Sequence, residues 1–195
     1  MTDGDRFTVT VSDAERPVGR LLVLPGAGYT VDHPLLFWAC TVAASAGWQV
    51  TSLRWRPPTW TDRSEATAFV EQGATLLDES APAATTTVVL AKSLGTTAAG
   101  WAQARGYPGI WLTPLLTVPT VRDALASSAL PHLLIGGTAD SLWDSTAAHA
   151  IGGEVVEFDG ADHALHVGND WRRSLEVLGR ALDRIEAFLL ARTTR

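Results

Sequence analysis

Three residues in this sequence are of the types that nucleophilic catalysis needs, and each sits among small residues. Ser93 lies in Ala91-Lys92-Ser93-Leu94-Gly95, Asp140 ends Gly136-Gly137-Thr138-Ala139-Asp140, and His163 ends Asp159-Gly160-Ala161-Asp162-His163. A serine hydroxyl is a weak nucleophile until an imidazole takes its proton, and the imidazole in turn works best when a carboxylate fixes its tautomer. Asp144, Asp159 and Asp162 compete with Asp140 for the acid, although each also suits a cap or a turn. His166 competes with His163 for the base, or lines a pocket beside it. His33, His132 and His149 read as helix or strand-start residues.

The elements around these residues decide whether they can meet. Residues 86–90 are β-branched or apolar and read as a strand, and 96–101 read as a helix, so Ser93 stands at a strand–turn–helix junction. That context makes an A-x-S-x-G match a nucleophile elbow. The serine there takes a strained backbone conformation, and the positions two before and two after it must be small. Ala91 and Gly95 meet that need. A helix after Ser93 would also aim backbone N–H groups at a developing oxyanion.

Other strands are expected at 7–11 (an edge strand), 20–24, 48–55, 109–112, 133–135 and 154–158. Helices are expected at 33–46, 62–80 and 121–128, with a last one capped by Asn169. The apolar face of that last helix is read as Leu175, Leu178, Leu182, Ile185 and Leu189. From residue 20 strands and helices alternate through short loops, the pattern of a three-layer α/β/α sandwich with a mostly parallel sheet. In such sheets ligands bind at the carboxyl ends of the strands, which is where Ser93, Asp140 and His163 all fall. Nothing in 1–195 reads as a linker, so a single domain is expected.

At 195 residues, 46% hydrophobic and 18% charged, the chain can bury one ordinary globular core. The net charge of −6 and the lack of a basic stripe argue against a nucleic-acid partner. No apolar run approaches the roughly 20 residues that span a bilayer. The start, MTDGDRFTVTV, does not look like a signal peptide, so a soluble cytoplasmic protein is expected. Cys40 is the only cysteine, which rules out an internal disulfide and a cysteine metal site; it reads as core. No metal or cofactor is expected. Gly26-Ala27-Gly28 begins like a dinucleotide fingerprint, but the third glycine would fall at Val31. Lys92-Ser93 echoes a phosphate-binding loop that would need Gly at 86 and 91, where Thr and Ala stand. Lys92, the only lysine, is expected to point away from Ser93 and to pack or form an ion pair.

The A-K-S-L-G elbow, the G-G-T-A-D loop and the D-G-A-D-H loop, in that chain order, resemble the α/β-hydrolases over nearly the whole sequence. The likeness is to small, uncapped members of dienelactone-hydrolase type, with Ser93 where a true dienelactone hydrolase has Cys. It implies Ser93 as nucleophile, His163 as general base and Asp140 as orienting acid. It also implies oxyanion-hole N–H groups from Leu94 and from Ala27 or its neighbours in the LPGAG segment. The implied activity is cleavage of a small ester-like acyl substrate through an acyl-enzyme on Ser93; ester, thioester and amide bonds are not separated by any feature of the sequence. A catalytically silent binding module on the same fold is the alternative. Only about twenty residues separate the strand ending near Leu112 from the next, too few for a cap, so the site should be open. Tyr29, Trp55, Trp60, Trp143 and Trp171 fall in loops where they either line a substrate pocket, with His166, or pack between sheet and helices.

Overall fold

The computed structural model describes residues 6–60 and 62–193. The first five residues, part of the segment read above for a signal peptide, lie outside them. Among the described residues, seven strands form one sheet: β1 (Phe7–Val11), β2 (Gly19–Leu24), β3 (Trp48–Trp55), β4 (Thr87–Lys92), β5 (Gly109–Leu112), β6 (His132–Gly137) and β7 (Glu154–Phe158). Their order is β1-β3-β2-β4-β5-β6-β7. β1 runs antiparallel to β3 at the edge, and every other pairing is parallel.

Period-2 alternation along the buried strands divides the core into two layers. Leu21, Val23, Val88, Leu90 and Ile110 face α1 (Pro34–Ser45) and α6 (Trp171–Leu190). Leu22, Leu24, Val89, Ala91 and Trp111 face α2 (Arg63–Ser80), α3 (Ala99–Ala104), α4 (Pro119–Ala126) and α5 (Ser145–Ile151). With both faces covered, β2 and β4 to β6 are buried along their whole length, which explains their continuous apolar sequences. The expected three-layer sandwich is the observed one. Between β5 and β6 the chain adds only the eight-residue α4, so no cap stands over the strand ends.

Five local features depart from the sequence reading. The turn after β4 is a 3₁₀ helix over Ser93–Ala98 before α3 begins. The hydroxyls of Thr96 and Thr97 donate to the carbonyls of Ser93 and Leu94, three residues back, and so favour the tighter winding. α4 starts two residues earlier than expected, because Pro119 supplies a preset first turn. α5 was not expected; Asp144 caps it by accepting from the Ala147 N–H at 2.9 Å. The cap of α6 is Asp170, not Asn169. The buried face of α6 is Val177, Ala181, Ile185, Phe188 and Leu189, whereas Leu175 is 58% exposed. Its first turns border an open pocket instead of the sheet, and Leu175 lines that pocket.

Candidate active site

Ser93 stands immediately after β4 with φ of +51°, a left-handed conformation that non-glycine residues seldom adopt. Its surroundings hold it there. Ala91 is fully buried opposite Leu24 of β2, and the Gly95 N–H donates to the Pro25 carbonyl at 3.1 Å. A Cβ on Gly95 would fall 2.7 Å from that same oxygen, so the elbow can lie against the end of β2 only with glycine at this position.

The acid and base loops are locked together in a similar way. A Cβ on Gly137, the last residue of β6, would fall 2.2 Å from the Ala161 carbonyl oxygen. With glycine there, the Ala139 N–H reaches that carbonyl at 3.0 Å, and the Thr138 N–H reaches the Phe158 carbonyl at 3.1 Å. Asp140 Oδ1 accepts from the Leu142 N–H at 2.9 Å, and its Oδ2 lies 2.7 Å from His163 Nδ1. His163 Nε2 in turn lies 2.7 Å from Ser93 Oγ. The structure therefore joins the three sequence candidates in one hydrogen-bonded chain. The Asp140 side chain is only 1% exposed, while that of His163 is 34% exposed and open to a ligand.

The competing residues do other work. Asp144 caps α5. Asp159 faces Arg173 and Thr138 on the surface. Asp162 accepts the Ala164 and His166 N–H groups at 2.8 and 2.9 Å, which closes the loop carrying His163. This is the turn role the sequence allowed for Asp162; which N–H groups it takes leaves no mark in the D-x-x-x-H spacing, because the contacts are to backbone. His33 precedes α1, His149 lies in α5, and His132 starts β6, where its Nδ1 meets the Trp111 indole N–H at 3.2 Å.

The residues expected around the site divide into two groups. Ala27 is exposed in the 25–29 turn, next to Gly26, whose N–H donates to the Tyr29 carbonyl at 2.9 Å. Leu94 follows Ser93 and is buried. A cavity of about 360 Å³ opens beside the His163 loop, lined by Tyr29, Leu35, Leu165, His166, Trp171 and Leu178 among others. Tyr29, His166 and Trp171 thus reach a pocket. Trp55, Trp60 and Trp143 do not line it. Trp55 is buried and donates its indole N–H to the Gly26 carbonyl at 2.9 Å, holding the turn that contains Ala27. Half-buried Trp60 packs on Phe69 against the core, and Trp143 is buried against Gly136 with its N–H on Glu157. A large apolar ring with one polar atom is stable in the core when that atom finds a partner, as those of Trp55 and Trp143 do.

Lys92 packs, as one of its two expected outcomes had it, and does not form the ion pair that was the other. Period 2 along β4 puts it on the side of Val88 and Leu90, away from the layer of Ala91, and there its side chain is buried at 1% exposure. Among the described residues it pairs with no carboxylate at ion-pair distance. Its Nζ donates to Thr113 Oγ1 and to the His163 carbonyl, both at 3.0 Å, and lies 4.6 Å from the centre of the Tyr29 ring. Burial lowers its pKa to about 8, against the opposing influence of Asp140 and Asp162, and burial pushes the Tyr29 phenol up. Among the described residues, no group of three or more His, Cys, Asp or Glu side chains could hold a metal ion, and no helix is long and apolar enough to cross a membrane.

No protein-family model matches the chain, and no curated protein matches it in sequence. Solved structures do match. Est1E from Butyrivibrio proteoclasticus, with ferulic acid bound, superposes with a TM-score of 0.74 at 12% identity over 97% of this chain and 96% of that one. Esterase Pf2001 from Pyrococcus furiosus gives 0.67 at 14% identity, covering 95% and 92%. XC6422 from Xanthomonas campestris, described as an α/β serine hydrolase without lid, gives 0.63 at 16% identity, covering 96% and 91%. The chain therefore has the α/β-hydrolase fold, in an uncapped form. At these identities the likeness speaks to fold alone.

Proposed function

We propose that this protein is a serine hydrolase that cleaves a small ester through an acyl-enzyme on Ser93. One observation carries the reading: His163 bridges Ser93 Oγ and Asp140 Oδ2 through its two ring nitrogens, at 2.7 Å each. With the Nδ1 proton donated to Asp140, Nε2 is free to accept the Ser93 proton as the hydroxyl attacks the carbonyl. Asp140 then stabilises the imidazolium, and His163 returns the proton to the leaving alcohol. Water repeats the cycle on the acyl-enzyme, with His163 again the base. The N–H groups of Leu94 and Ala27 are assigned to the oxyanion, where one donor contributes about 10²–10³ in turnover. The apolar pocket begins at Ala164, the residue after His163, and suits an apolar acyl or aryl group on the substrate.

The test is turnover of short- and medium-chain p-nitrophenyl esters, with fluorophosphonate labelling, by the wild type and by Ser93→Ala. Turnover should fall by about 10⁶ in the variant, and labelling should vanish with it. A folded wild type that neither labels nor turns over any ester would sink the reading.

A further inference from the structure

We propose that Lys92 is a positioning residue for this reaction: its buried ammonium grips the His163 backbone carbonyl and so fixes the base over the neighbouring Ser93. The inference rests on the reading of Ser93 and His163 as nucleophile and base. Lys92 and Ser93 are consecutive, and each holds residue 163 at a different point. Ser93 Oγ meets the ring at 2.7 Å, and Lys92 Nζ meets the main chain at 3.0 Å. Asp140 holds the far side of the ring from β6. Residue 163 is thus tied at three points from the ends of two strands, on a loop whose other ties, among them the Asp162 bonds and the Ala139 N–H on the Ala161 carbonyl, do not touch the ring.

Three further observations separate this arrangement from ordinary packing. A buried lysine is costly, and a core position at the end of β4 would be filled more cheaply by leucine or methionine. Lys92 stands there with neutral acceptors at hydrogen-bond distance, so it is the donors that the position uses. Its second acceptor, Thr113, follows β5 with φ of +41° and is fully buried. A β-branched residue in that region is strained and persists only where its surroundings over-determine it. The Thr113 N–H is fixed to the Ile135 carbonyl at 2.7 Å, which aims the hydroxyl at Lys92. Every other basic residue in the chain, histidines aside, is arginine. A compact ammonium with three divergent donors can bridge Thr113, His163 and the Tyr29 face in a closed space, which a planar guanidinium cannot do.

Lys92→Met and Thr113→Val keep approximate volume and remove, respectively, the donors and the hydroxyl that braces them. The readout is fluorophosphonate labelling of Ser93 over a range of probe concentrations, with kcat and KM on p-nitrophenyl acetate, in variants whose circular dichroism matches the wild type. Misplacement of a catalytic group by about 1 Å costs on the order of 10² in rate, so Lys92→Met should slow maximal labelling and kcat tenfold or more. KM and the half-saturating probe concentration should stay within about twofold, since Lys92 touches no substrate. Thr113→Val should show the same split at smaller size, and it decides alone if Lys92→Met does not fold. A labelled wild type with both rates unchanged in folded variants overturns the positioning role and leaves the hydrolase standing. A rise in KM with kcat unchanged also overturns it. An unlabelled wild type removes the hydrolase itself.

Discussion

Asp140 gives its two carboxylate oxygens separate tasks: Oδ1 takes a backbone N–H of its own turn, and Oδ2 takes the imidazole. This division decides what an amide would do in its place. An asparagine side chain could keep the Leu142 bond with its oxygen, but would then present N–H₂ to His163 and force the opposite tautomer, with a proton on Nε2 facing Ser93. Asp140→Asn should therefore lower kcat by about 10⁴ with little change in melting temperature. A loss under tenfold would remove Asp140 from the reaction. The three chemical residues were legible in the sequence because type, small neighbours and strand ends coincide at each. Asp162 was legible as a turn residue, but its backbone partners, and that of Trp55, were not. Each works by bonding to main chain, at 164 and 166 or at Gly26, and a sequence pattern carries no mark of which backbone atom a side chain will meet.

Among the elements, strands and their burial followed directly from continuous apolar runs, since a parallel sheet covered on both faces leaves little else possible. Helix details were less legible. The 3₁₀ start of the elbow depends on two threonine hydroxyls reaching back, and the rotated face of α6 depends on a pocket that no periodicity reveals. The contact between the β6 and β7 loops is the element-level feature on which the site depends most. Gly137→Ala would drive a methyl group to 2.2 Å from a backbone oxygen, which no flexible side chain can relieve, so the two loops must part. Overpacking of this kind should destabilise the protein by about 1–3 kcal/mol. Because the same loops carry Asp140 and His163, kcat should fall under conditions where the variant is still fully folded. Urea unfolding and kcat measured together check this; a stability loss with kcat unchanged would mean that the loops move as one unit and keep their geometry.

For the whole molecule, the alternation of strands and helices sufficed to foresee a sheet that brings three distant strand ends together, but not that a lysine would be enclosed beneath them. Lys92 reads as a surface residue by type and as an interior one only by its register in β4, between Leu90 and the end of the sheet. Enclosure couples its ionisation to global stability. In the folded state its pKa is lowered from 10.5 to about 8 by burial, while the facing groups, Asp140 after β6 and Asp162 after β7, only partly offset that penalty. Tyr29 meets it from the β2 loop through its ring face. Below about pH 8 both folded and unfolded chains carry the proton, and folding bears the full cost of an enclosed ammonium. Between about pH 8 and about 10.5 the unfolded chain binds a proton that the folded chain has released, so the Lys92 contribution to stability becomes less unfavourable as pH rises. Measured as the difference between the wild type and Lys92→Met, which cancels the other titrating groups, stability should gain roughly 2 kcal/mol from about pH 7.5 to about pH 9.5. Urea unfolding of both proteins at the two pH values measures it. A difference that stays flat across that window would mean that Lys92 keeps its ordinary pKa and is solvated in the folded protein.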